Sequence, residues 1–150
     1  MEQTVDSLAK RVIDDATAVL GVHEDGDSNS GVYVDQYLKF VGLTAGNPWC
    51  CAFAVFRVHK AAGELGLSSR LPKTGSSSAL CRWYREQGLL LAAPTPGCIG
   101  MVRGGPTGHC HTFIVVDVRD GDVLGIDGNE GNRVERSRRP IGACDYGPIC

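Results

Sequence analysis

The chain has 150 residues, 43% of them apolar, with 17 acidic against 15 basic side chains, which suits one ordinary domain with a single core. A net charge of −2 leaves no global footprint for nucleic acid or an anionic membrane. No run reaches the roughly 18 apolar residues of a membrane span, and MEQTVDSLAKRVIDD carries charges where a secretory leader needs an apolar stretch. The expectation is one domain over 1–150, made in the cytoplasm without such a leader.

Apolar positions Val5, Leu8, Val12, Ile13, Ala16, Val19 and Leu20 recur at helical spacing and stop at Gly21, predicting an opening amphipathic helix with a glycine cap. HEDGDSNSG (23–31) lacks the ligand register and terminal glutamate of an EF-hand and reads as a turn-rich connection. A short helix, VDQYLKFVGL, precedes a third that starts at NPWCCAFAVF and runs to Gly63, and serines introduce a fourth that ends at Gly88. After residue 95 come CIGMVR, HTFIVVDV, DVLGID and RVERS, β-branched segments between glycine turns. Helices first and strands second predict an α+β domain. RVERSRR (133–139) is broken by a glutamate and reads as a solvated strand face.

The adjacent Cys50 and Cys51 raise a question of chemistry. From Cys51 a helical stripe runs through Ala54, Val55, Val58 and Ala62, all apolar, whereas the stripe from Cys50 includes Arg57. Cys51 therefore reads as core and Cys50 as boundary. The first residue of a helix also meets unpaired N–H groups that favour a thiolate. A nucleophilic thiol needs an imidazole and a polar group to orient it. GHCHTFIVV offers His109 and His111 at a strand start, and IDGNEGN offers Asp127 and Asn129. A two-residue Asp120-Gly121 turn in a regular hairpin would place Asp127 opposite Ile114, on the far sheet face from His111. A triad therefore requires a bulge, or a three-residue loop over 120–122 that sets Asp127 opposite Val115.

With these residues the chain resembles the CHAP family, the cysteine, histidine-dependent amidohydrolases and peptidases of phage lysins and bacterial cell-wall enzymes. The likeness runs from the first helix to about residue 139, through PWCCAFAVF, HTFIVV and the DGN step. It implies a papain-like fold, with Cys50 as nucleophile, His111 as base, and Asn129, or Asp127 as the other candidate, orienting the imidazole. Cys98 stands where the family often has an aspartate, and Asp127 where lysins often carry glutamate. Asn129 is the preferred third group, because an amide adds no charge and the shorter acid has less reach. His109 remains the rival base.

The implied function is an amidase or endopeptidase acting on peptidoglycan peptides, as a lysin or an antibacterial effector, with no metal or organic cofactor. It would act as a monomer in the periplasm or cell wall after release or specialised secretion, without a separate wall-binding domain. An effector would come with a delivery system and an immunity protein. The alternative is a catalytically inactive wall-binding or virion-assembly module on the same fold. A zinc site from Cys98, His109, Cys110 and His111 is disfavoured, because neighbouring strand residues point to opposite faces. Seven cysteines without paired spacing exclude a complete disulfide framework, leaving only Cys144 with Cys150 as a pair that could form outside the cytoplasm.

Overall fold

The computed structural model describes residues 2–150, with side chains from residue 6 onward, so the Val5 side chain of the opening stripe lies outside the described residues. Four helices come first: α1 (Glu2–Ala18), α2 (Val32–Phe40), α3 (Cys50–Glu64) and α4 (Ser77–Glu86). The strands follow: β1 (Ile99–Arg103), β2 (His109–Arg119), β3 (Asp122–Glu130), β4 (Arg133–Pro140) and β5 (Cys144–Gly147). They form one antiparallel sheet in the order β4-β3-β2-β1-β5. The α+β expectation holds, and a helix that begins at a cysteine lies against a sheet that carries a histidine, which is consistent with the papain-like arrangement expected. β5 was not anticipated, since CDYG is only four residues long and carries no β-branched residue.

Gly21, at φ 89°, follows α1 as the pattern predicts. Ser76 caps α4 by accepting from the Ala79 N–H at 3.1 Å. Ile99, Met101, Ile114, Ile126 and Val134 join the helices in the main core. Phe113, Val115, Val123 and Tyr146 build a smaller cluster together with Cys98 and Cys144, and alternation assigns them to the other sheet face. α3 is enclosed on nearly every side, with ten of its fifteen residues buried. Arg57 is among the ten and lies 4.7 Å from the Phe56 ring centre. The two stripes inferred for α3 are therefore both buried, and a polar stripe is not what separates Cys50 from Cys51.

The β2–β3 turn is the two-residue form, with Asp120 at φ 53° and Gly121 at φ 78°, the left-handed pair of a type I′ hairpin. Val118 pairs with Val123 and Asp117 with Leu124, but Val115 then pairs with Gly125, leaving Val116 as an extra residue. This bulge shifts the register by one, so that Ile114 faces Ile126 and Asp127 falls on the face of Phe113 and His111. The required correction comes from a bulge, and the three-residue loop is not used. On β3 a second irregularity sets Gly128 and Asn129 against the single Val134, with Asn129 at φ 59°.

Candidate active site

Cys50 opens α3 and is 9% exposed; Cys51 is fully buried. Burial alone would raise the Cys50 thiol, but a hydrogen bond and charge from His111 and the backbone N–H groups of Thr112 and Cys51 hold it below its ordinary value. The Cys51 thiol lies 3.4 Å from the Thr74 carbonyl, and burial pushes it up to about 12. One sulfur is thus poised to ionise and its neighbour is kept protonated.

His111 stands near the start of the central strand, its Nε2 2.8 Å from Asp127 Oδ2, which leaves Nδ1 for the sulfur. Burial alone would lower its pKa. The hydrogen bond to Asp127 and the contact with Cys50 outweigh that cost and raise the imidazole to about 10. Asp127 is fully buried and its carboxylate is well supplied with donors. Ser137 Oγ donates to Oδ1 at 2.6 Å and Arg139 Nη2 to Oδ2 at 2.7 Å. Burial would raise this acid, but its bonds to His111 and Arg139 hold it below the ordinary carboxylate value. The Arg139 guanidinium is fixed in turn, 4.3 Å above the Phe113 ring.

The choice of Asn129 as the orienting group is corrected. Asn129 belongs to the second irregularity of β3 and makes no hydrogen bond to His111 among the described residues, whereas Asp127 does. The shorter acid reaches because the Val116 bulge brings it to the correct face. His109 is separated from the thiol. Cys110 is the extra residue of a further bulge, since Val102 pairs with His111 but Arg103 with His109. His109 is thereby turned to the opposite face, where its Nε2 lies 2.7 Å from Asp145 Oδ2.

Three supporting residues escaped the sequence reading. Ser137 and Arg139 sit in the segment taken as a solvated face; Arg133, Arg136 and Arg138 are exposed, but the Arg139 side chain is only 17% exposed. Alternation from Val134, the one apolar residue of RVERSRR, points to Arg136 and Arg138 and so did not mark Ser137 or Arg139. Glu24, 2% exposed, accepts from Trp49 Nε1 at 3.1 Å and from the Asn29 N–H at 2.5 Å. It ties the loop of residues 23–31 to the residue preceding Cys50. No periodicity could have marked that contact.

Cys98, His109, Cys110 and His111 do not converge. Cys98 is buried beside Thr95, Cys110 is exposed, and the two histidines face different carboxylates. Among the described residues two other groups have ligand atoms within 4.8 Å of one another: Cys81 with His109 and Asp145, and His111 with Asp127 and Glu130. In both, the central carboxylate already pairs with an arginine, Arg103 or Arg139. All seven cysteines are free, including the Cys144 and Cys150 considered as a pair; Cys144 is buried on β5 and Cys150 exposed.

No protein-family model matches the chain, and no curated protein matches it. Among solved structures, one of a mutant of the Resuscitation Promoting Factor Interacting protein RipA is similar at 16% identity, with a TM-score of 0.43. The match covers 95% of this chain and 60% of that one.

Proposed function

We propose that the protein is a cysteine amidase or endopeptidase that hydrolyses amide bonds of peptidoglycan peptides. The observation that carries the reading is a buried Cys50–His111–Asp127 line in which the thiol is held low and the imidazole high. The Cys50 thiolate attacks the amide carbonyl. The His111 imidazolium then protonates the leaving amine, and the neutral ring afterwards takes a proton from the water that resolves the thioester. Asp127 fixes the ring and is itself fixed by Ser137 and Arg139. The Cys50 backbone N–H, at the free start of α3, is the first oxyanion donor. The choice of a wall peptide rests on the family resemblance of PWCCAFAVF, HTFIVV and DGN.

Fragments released from defined peptidoglycan, identified by mass spectrometry, test the reading and name the bond cut. Cys50→Ala should fold normally and release nothing. Cys51→Ala should keep its activity at a packing cost on the order of 1 kcal/mol. Activity in Cys50→Ala would transfer the chemistry elsewhere, and a wild-type protein that binds the wall without releasing fragments would favour the inactive-module alternative.

A further inference from the structure

An open cleft of about 670 Å³ lies beside the candidate active site, between the start of α4 and the ends of β1, β2 and β5. Ser78, Arg82 and Arg85 line one wall, at the i, i+4 and i+7 spacing that shares a helix face, and Arg103, His109 and Asp145 line the other. Three guanidiniums thus meet a single carboxylate, which is already engaged. Asp145 accepts from Arg103 Nη1 at 3.0 Å and lies 2.7 Å from His109 Nε2. Arg103 is pinned further by the carbonyls of Cys144 and Gly142. Among the described residues neither Arg82 nor Arg85 pairs with a carboxylate, so the cleft holds unbalanced positive charge in a chain of net charge −2.

The cleft is close to the thiol. Ser77, between two cleft residues, shares a 2.6 Å hydrogen bond with Thr112 Oγ1, and the Thr112 N–H is one of the groups that hold the Cys50 thiol low. Ser76 is shared with a second cleft of about 310 Å³ that includes Asn47 and Pro48, just ahead of Trp49 and Cys50. An extended peptide whose amide bond lies at the sulfur would have its neighbouring residues over the arginine wall.

We propose that the cleft bounded by Arg82, Arg85, Arg103 and His109 is a carboxylate-binding subsite that seats an acidic group of the substrate peptide next to Cys50. The inference rests on the peptidase reading. Planar, always-charged guanidinium forks suit a carboxylate, and Arg82 and Arg85 are the two with donors to spare. The subsite would set which residue of an acidic peptide lies across the thiol. Specificity would then come from α4 and the chemistry from α3 and the sheet.

Binding to the uncleaving Cys50→Ala variant tests this separately from hydrolysis. The probes are a synthetic stem tetrapeptide with free carboxylates and the same peptide with its carboxylates amidated, titrated at low salt. The acid should bind at least about 10-fold more tightly than the amide. Adding Arg82→Gln and Arg85→Gln should erase the difference, with the circular dichroism spectrum unchanged. Equal binding of acid and amide, or a preference that survives both substitutions, would overturn the subsite. So would tight binding of inorganic phosphate without any acid-over-amide preference. Acid selectivity in a wild-type protein that cuts nothing would keep the subsite and remove the peptidase reading; hydrolysis without acid selectivity would do the reverse.

Discussion

At the level of single residues, the site depends on where one negative charge is buried. Asp127 holds His111 on one oxygen, shares that oxygen with Arg139 and gives the other to Ser137, so its charge is needed by partners on both sides. Asp127→Asn should lower the alkaline limb of the pH–rate profile from about 10, because the hydrogen bond to Asp127 is the largest influence raising His111. The rate should fall on the order of 100-fold or more, as expected when a general acid–base group loses its poise. The same variant leaves Arg139 without its carboxylate, and breaking a buried pair typically costs about 3–5 kcal/mol; the partial exposure of Arg139 places the loss toward the lower end. Asn129→Gly is the matching control, since glycine accepts a φ of 59° that strains alanine. It should leave both the alkaline limb and the rate nearly unchanged. A pH–rate series on the two variants decides between the two residues, and a larger effect from Asn129→Gly would restore the amide as the orienting group.

Among the elements, α3 and β3 must approach closely for the thiol to meet the imidazole, and Gly128 permits it. A Cβ at residue 128 would stand 2.6 Å from Phe53 Cβ, an atom attached directly to the α3 backbone. Gly128→Ala should therefore push the helix off the strand, at about 1–3 kcal/mol as in other overpacked sites. It should also slow Cys50 alkylation by iodoacetamide at neutral pH while the population stays folded; an unchanged alkylation rate would mean that the helix position is not set here. The DGN step thus divides its work: Asp127 holds the His111 ring, Gly128 makes room for the helix that Cys50 opens, and Asn129 takes the left-handed turn of the strand irregularity. The four helices and four of the strands were legible because periodicity, caps and turn residues are local signals, whereas Cys50, His111 and Asp127 were candidates by residue type and motif resemblance, with Asn129 set ahead of Asp127, because side-chain reach across strands is not a local signal. The Val116 bulge was legible only as a requirement, since nothing in FIVVDV marks which residue is extra. Arg139 and Glu24 were not legible as site supports, because their partners are 12 and 25 residues away.

For the whole molecule, the chemistry of the site should be visible in folding stability. Asp127, held below its ordinary value, stabilises the fold above about pH 4 and loses that contribution as pH falls through its folded pKa. His111, raised to about 10, contributes fully below about 6.5 and loses it as pH rises through 10. Cys50, held low, contributes fully above the ordinary thiol value and loses it as pH falls through its folded pKa. Where the pH lies above both the folded Cys50 pKa and about 6.5, and below about 8.5, the folded Cys50–His111 pair carries one proton, on the imidazole, and the unfolded pair also carries one, on the thiol. The pair should thus give a plateau of stability rather than a slope. Cys50→Ala removes the thiol proton from the unfolded state, while in the folded one Asp127 still favours the imidazole proton even though the contact with Cys50 that also raised it is gone. Its stability should fall with pH where that of the parent protein stays flat, and the gap should widen by up to about 1.4 kcal/mol per pH unit. Groups distant from the site titrate alike in both proteins and cancel in the comparison. Thermal unfolding of the two proteins at pH 6.5, 7.5 and 8.5 measures the gap directly. Parallel curves would mean that Asp127 does not hold the imidazole proton once Cys50 is gone, and a pair in which thiol and imidazole gain or lose their charges together would have to replace two groups held separately.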